Sequence, residues 1–285
     1  MHIIRGTKRA EEILGTLRDE IRGAKKAPVF AAVLVGDDAA SHVYVHLKEK
    51  AAISVGIIFQ KVLLPQSTSQ EELLLHIQRL NEDATVCGIL VQLPLPSHIQ
   101  TQVIIDAVDA AKDVDGFHPE NIQKFLQKEE CIAPVFPRAI MELIRSVELP
   151  LKNKQAVVIG NSAIFGQMML SALQDENIEG IFIPRTSLAS KYERVLAADI
   201  IVTAVGEAHL LTGNMVKDGA IVIDGGIVKI LDTVTGDVDR LSMEQKKGWL
   251  SPVPGGVGPV TIACLLSNVW NAFLNQNDTS SQNRE

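Results

Sequence analysis

The run Gly88-Ile89-Leu90-Val91-Gln92-Leu93 is apolar except for one glutamine and stops at Pro94 and Pro96. A strand with one wet face alternates apolar and polar residues. A run without alternation is covered on both faces, as in a parallel sheet packed between helices. Val29 to Val35, closed by Gly36, reads the same way, and so do Gln155 to Gly160, Ile200 to Val205 and Ala220 to Asp224. Shorter strands are predicted at Ile57 to Leu64 and Ile181 to Pro184. Ile13, Leu14, Leu17 and Ile21 recur at helical spacing and predict a helix over Lys8 to Arg22. Further helices are predicted over Ser41 to Ser54, from the capped start Ser67 to Glu72 as far as Leu80, and over Gly166 to Asp175. Strands that alternate with helices are joined by right-handed crossovers, so the chain is of the α/β class with mostly parallel sheet.

At 285 residues the chain is long for one hydrophobic core, and two domains are expected. Two prolines, Pro134 and Pro137, flank Val135-Phe136 ahead of a predicted helix over Arg138 to Val147, which puts the boundary at residue 137. Residues 1–137 form an N-terminal α/β domain, completed by a last helix over 260–274 that is expected to pack back on it. Residues 138–259 repeat the strand–helix grammar more cleanly, as a doubly wound, Rossmann-like nucleotide-binding domain. Residues 275–285 are polar and are expected to fray.

A formal net charge of -7 and the lack of any dense Lys/Arg block give no field to attract nucleic acid or anionic lipid. Cys87, Cys131 and Cys264 are far apart and lack CxxC spacing, so neither a disulfide framework nor a zinc site is expected. Met1 to Gly6 lacks the charged-then-apolar pattern of a leader, and no run approaches the roughly 20 apolar residues of a membrane span. A cytoplasmic location is expected, with no membrane or nucleic-acid partner.

Tyr44 and Lys48 are four apart in a predicted helix and leave the same face, so together they can offer an aromatic platform and an amine to one ligand; spacing alone favours instead a solvated Lys with a Tyr packed beneath its stem. Gln92 stands at the carboxyl end of its strand, where open α/β sheets place ligands, though a buried amide there can also serve a neighbouring loop. Lys112-Asp113-Val114-Asp115-Gly116-Phe117-His118-Pro119 suits recognition of a hydrogen-bonding heterocycle by a carboxylate, or an Asx-type turn that caps the next element. No second His or Cys cluster accompanies His118, so no metal is expected. Gly160-Asn161-Ser162-Ala163-Ile164-Phe165-Gly166 follows a strand and opens a helix, the place where backbone N–H groups cradle phosphate, but its spacing is GxxxxxG rather than GxGxxG. Ser251 to Thr261 packs three prolines and three glycines ahead of a helix, which favours a stiff, ligand-lining loop over a linker.

Together these segments resemble the bifunctional methylenetetrahydrofolate dehydrogenase/methenyltetrahydrofolate cyclohydrolase family over about residues 1–274. Ser41 to Lys48 is similar to its S-x-x-Y-V-x-x-K, Gly88 to Pro96 to its G-I-L-V-Q-L-P-L-P, Lys112 to Pro119 to its K-D-V-D-G-F-H-P, and Pro252 to Thr261 to its P-V-P-G-G-V-G-P-x-T. The resemblance implies Lys48 as the catalytic group at the one-carbon centre, tuned by Gln92, with Tyr44 stacked along the folate and Asp115 on the amino-substituted pterin edge. It further implies a substrate site lined by Val91, Leu93, Pro254, Gly255, Gly256, Val257 and Gly258, a homodimer, and hydride transfer from the folate to NADP or NAD before hydrolysis to 10-formyltetrahydrofolate. A cofactor site is implied at Gly160, Asn161, Ser162, Ile164, Gly166, Arg185 and Ile227.

The departures cluster in the second domain. The family's G-R-S-x-I-V-G-x-P has Asn161 for its arginine, Phe165 for its valine and Met168 for its proline; P-C-T-P-x-G has become Pro134-Val135-Phe136-Pro137-Arg138-Ala139. Arg185 falls where C-H-S-[KR]-T has its serine, at a strand end where dinucleotide folds read the ribose, and can replace the missing arginine against a 2′-phosphate. Two outcomes are open: a dehydrogenase with shifted cofactor preference, or a cyclohydrolase alone. Ile221 to Ile227 still resembles the family's I-D-V-G-I and favours the first. An unrelated doubly wound dehydrogenase of a small acid would instead make Lys48 incidental.

Overall fold

The computed structural model describes residues 1–231 and 233–282, with side chains as far as residue 277. In chain order the elements are β1 (His2–Ile3), α1 (Gly6–Arg22), β2 (Val29–Val35), α2 (Ala39–Val55), β3 (Ile58–Leu64), α3 (Gln70–Glu82), β4 (Val86–Val91), α4 (Thr101–Ala107), α5 (Pro119–Gln127) and α6 (Val135–Arg145). They continue with β5 (Gln155–Gly160), α7 (Ala163–Gln174), β6 (Glu179–Pro184), α8 (Tyr192–Ala197), β7 (Ile200–Ala204), β8 (Ala220–Asp224), β9 (Val228–Ile230), β10 (Thr233–Thr235), β11 (Gly248–Ser251) and α9 (Val257–Gln282). The chain divides into two compact units, one of Glu12–Val135 with the segment from Ile262 onward, the other of Met1–Glu11 with Phe136–Thr261.

In the first unit a three-stranded parallel sheet runs in the order β3-β2-β4. Phe30 to Val35 of the central strand are buried on both faces, which is why that stretch shows no alternation. Leu73 and Ile77 of α3 and Ile104 of α4 meet Ala31, Val33, Val86 and Ile89 in its core. Each such fully buried aliphatic side chain is worth about 1.5–3 kcal/mol of transfer free energy. Asp38 caps α2 by accepting from the Ser41 N–H at 2.7 Å, and Gly56, at φ 92°, ends it in the left-handed region that a side chain disfavours. The Ser69/Glu72 capping box starts α3, within the capped start read from the sequence over Ser67 to Glu72.

In the second unit six strands run in the order β1-β11-β8-β7-β5-β6, every neighbouring pair parallel, beside a small antiparallel hairpin of β9 and β10. From β5 the chain passes to β6 on one side and then crosses to β7 on the other. That reversal opens a crevice at the carboxyl ends of β5 and β7, the place where doubly wound sheets bind their ligands.

Several boundaries differ from the sequence reading, among them the start of α6 at Val135 instead of Arg138. His2 and Ile3 pair with Trp249 and Leu250, so Met1–Glu11 belongs to the second unit rather than the first; a two-residue strand carries no period to read. α7 starts at Ala163, capped by the Ser162 hydroxyl, so Gly166 lies inside the helix, where an added Cβ would come within 2.5 Å of the Phe182 ring. α9 continues to Gln282, eight residues past the predicted end, so residues 275–282 are helical instead of frayed; residues 283–285 lie outside the described residues. Against the reading that no run suits a bilayer, Val257–Asn277 is long and apolar enough to cross one, with mean hydropathy 1.4. Its apolar residues are nevertheless used inside the protein: Ala263, Leu265, Leu266 and Val269 are all buried.

Candidate functional site

In the first unit α2 and β4 bring Lys48 and Gln92 together. The Lys48 Nζ donates to the Gln92 Oε1 at 2.8 Å, and the Gln92 Nε2 donates to the Leu93 carbonyl at 2.6 Å. The second bond fixes which end of the amide faces the amine, because the nitrogen is already engaged. Gln92 lies one residue beyond β4 rather than inside it, yet its backbone N–H still bonds the Val33 carbonyl at 2.8 Å and so extends the ladder.

Desolvation lowers the Lys48 pKa from its ordinary value, and the negative charge of Asp115 partly opposes that. Burial in turn pushes Asp115 up to about 6, against the pull of Lys48 and with a push from Asp113. Tyr44 is 37% exposed, one turn before Lys48 on α2. Val91, Leu93, Asp115 and Phe117 line one small hollow in this unit.

The Lys112–Pro119 loop divides its labour. Asp113 accepts from the Gly116 and His118 N–H groups and from Asn121 Nδ2, which makes it the turn former. His118 caps α5 by accepting from the Glu120 N–H at 3.2 Å. Lys112 donates to the carbonyls of Leu80, Asn81 and Asp83 and so closes the end of α3. Asp115 is thus the carboxylate of the loop whose charge acts on the Lys48 amine.

In the second unit Gly160, Asn161, Ser162, Ile164 and Gly166 gather at the carboxyl end of β5 and the first turn of α7. The Asn161 Nδ2 donates to the Val205 carbonyl at 3.1 Å, across the β5/β7 crevice. Ile227 is 55% exposed just past β8, and Phe136 packs on Phe165 with ring centroids 5.2 Å apart. Pro254 to Gly258 also belong to this unit; Gly255, at φ 96°, accepts from the Gly6 N–H at 2.9 Å, and a Cβ on Gly256 would lie 2.2 Å from the Ser251 hydroxyl.

Two carboxylates that the sequence reading passed over hold the carboxyl ends of β7 and β8. Asp224 accepts from the N–H groups of Gly226, Asp237 and Val238, and Asp237 from those of Val205, Gly206 and Glu207. An apolar strand ending in Asp224 was the available signal for the first; Asp237, in Gly236-Asp237-Val238-Asp239, looks like any polar turn.

A switch-point crevice on a parallel sheet, with a separate amine–amide centre on a second unit, defines a two-unit α/β enzyme of the dinucleotide-dependent type. Residues 4–115 match the family model for the tetrahydrofolate dehydrogenase/cyclohydrolase catalytic domain, and residues 134–277 that for its NAD(P)-binding domain. Bifunctional protein FolD of Nautilia profundicola is 42% identical over 281 residues, 96% of this chain and 98% of its own. The crystal structure of the bifunctional FolD dehydrogenase/cyclohydrolase of Campylobacter jejuni superposes with TM-score 0.92 at 37% identity, covering 96% of this chain and 99% of that one. That of Trypanosoma brucei FolD, complexed with NADP cofactor and an inhibitor, does so with TM-score 0.90 at 32% identity, over 96% and 97%. The chain belongs to the bifunctional tetrahydrofolate dehydrogenase/cyclohydrolase family.

Proposed function

We propose that this chain oxidises 5,10-methylenetetrahydrofolate to the 5,10-methenyl form with NAD(P) and hydrolyses that to 10-formyltetrahydrofolate, with Lys48 as the proton carrier. The observation that carries the reading is the 2.8 Å bond from Lys48 to an amide oxygen that cannot turn away, on an amine whose charged form is disfavoured. In hydrolysis the neutral amine takes a proton from the water whose oxygen bonds to the methenyl carbon. As the carbinol loses its hydroxyl proton to solvent and becomes the formyl group, the bond from carbon to the ring nitrogen breaks. Its electron pair stays on nitrogen, which receives the proton from Lys48. Gln92 holds the amine on line, Tyr44 offers a ring face to the folate, and Asp115 accepts paired N–H donors from its amino-substituted edge. Val91 and Leu93 supply apolar wall beside them, with Pro254 to Gly258 as further substrate-binding residues.

The second unit fits a dinucleotide: α7 opens at the end of β5 beside the switch point, and Gly166 is packed so close to Phe182 that no side chain fits. Gly160 to Gly166 would hold the pyrophosphate, Arg185 the ribose side and Ile227 the nicotinamide side. When bound, NAD(P) supplies the hydride acceptor of the oxidation. By family resemblance the reading extends to a cytoplasmic homodimer. Absorbance assays of methylene-folate oxidation with NAD or NADP, and of methenyl-folate hydrolysis without either, test it. Both reactions are expected; hydrolysis alone would leave a cyclohydrolase, and neither would overturn the reading.

A further inference from the structure

The strand register sets Gly160 level with Pro184 on one side and with Ala204 on the other. Arg185 therefore leaves the tip of β6 and Val205 the tip of β7, with the end of β5 between them. Two residues past Val205, beyond Gly206 at φ 81°, Glu207 reaches back over that gap. The Arg185 Nε and Nη2 donate to its two carboxylate oxygens at 2.6 and 2.7 Å. The Glu207 backbone is not free to drift, since the fully buried Asp237 accepts the N–H groups of Val205, Gly206 and Glu207 at 2.8, 2.8 and 2.9 Å.

The guanidinium at the end of the second strand of such a sheet is placed to bind a 2′-phosphate, and a carboxylate in that region to bind an unsubstituted ribose hydroxyl. Here the fork of the arginine is filled by the carboxylate. A phosphate carrying nearly two negative charges must displace Glu207 or lie against it, whereas a 2′-hydroxyl can donate to it without bringing charge. We propose that Glu207, through its bidentate pairing with Arg185 across the end of β5, selects NAD over NADP. The proposal rests on the dinucleotide-binding reading of this unit.

The test is titration of the full-length protein with NAD and with NADP, followed by protein fluorescence or calorimetry, for the wild type, Glu207→Gln and the double variant Arg185→Gln/Glu207→Gln. Wild type is expected to bind NAD more tightly. Glu207→Gln should move the ratio of the two Kd values about threefold to tenfold toward NADP, an effect that shrinks as salt is raised. In the double variant the gain should vanish, because the freed guanidinium is what the phosphate would meet. A wild-type preference for NADP, an unmoved ratio in Glu207→Gln, or an equal move in the double variant overturns the role of Glu207 and leaves dinucleotide binding standing. Failure of every form to bind either dinucleotide overturns both.

Discussion

Lys48 and Gln92 are joined by a single 2.8 Å hydrogen bond in which the lysine can only donate and the amide oxygen can only accept. Because the amide nitrogen is spent on the Leu93 carbonyl, the pair has one arrangement. The proton transfer proposed for the first unit relies on that constraint.

Lys48→Met keeps the length of the side chain and removes the amine. Hydrolysis of methenyl-folate should fall by about a hundredfold to ten-thousandfold, the usual worth of a positioned proton carrier. The thermal midpoint should stay level or rise slightly, since the desolvated amine is disfavoured in the folded chain. Turnover within tenfold of wild type would show that Lys48 is not the proton carrier.

Gln92→Glu puts a carboxylate where the amide oxygen sits. An adjacent negative charge favours the ammonium form, so the Lys48 pKa should move back up toward its solution value. Hydrolysis that needs the neutral amine rises with pH through that pKa. Its acid limb should therefore shift to higher pH by about one unit or more, with at least about tenfold lower kcat near pH 7 and partial recovery in alkali. A limb that stays in place while kcat falls would mean that Gln92 acts on something other than the amine.

Lys112→Met separates this buried lysine from Lys48 by function. Its ammonium serves the carbonyls of Leu80, Asn81 and Asp83 at 3.1, 2.7 and 2.8 Å, and the variant strands all three. Unfolding in urea should show a loss of about 2–3 kcal/mol with kcat per folded molecule retained. Loss of turnover without loss of stability would contradict the helix-closing role.

Asp224 is held up to about 6, chiefly by burial, against the N–H bonds from Val238 and Asp237 that favour its charged form. A carboxyl whose folded pKa exceeds its unfolded value near 3.8 contributes stability that is fully present below about pH 4 and is lost as pH rises through about 6. The difference in unfolding free energy between wild type and Asp224→Asn should therefore change by about 3 kcal/mol across that window and be flat on either side. A difference independent of pH would place the native carboxyl at an ordinary pKa.

β2, β4, β5, β7 and β8 were legible because a doubly covered strand must be apolar throughout, as Phe30 to Val35 and Ile200 to Val202 are, whereas the short β1, β9, β10 and β11 carry too few residues to show a pattern. The α2 cap was missed by only two residues, since Asp38 lies just ahead of the helical pattern. The pairing of Lys48 with Gln92 could not be read from 44 residues of separation; it was reached through family resemblance, and the distance gives it physical content. Asp113 and Asp115 look alike by residue type, and family resemblance alone singled out Asp115; the hydrogen bonds show that Asp113 builds the turn, while the charge of Asp115 acts on Lys48. Nothing in the sequence links Arg185 to Glu207, because their meeting depends on β5 lying between β6 and β7 in an order that the chain does not follow.

The membership of α9 has a consequence for how the protein is made. Asn268, in that helix, donates to the carbonyls of Val114 and Ala133 at 2.9 Å each, on either side of Asp115. A ribosome that has finished residues 12–135 has therefore not yet delivered the side chain that steadies the Asp115 loop. The unit whose sheet is finished first is completed last, and a stop codon after Thr261 would injure it rather than the sheet translated just before.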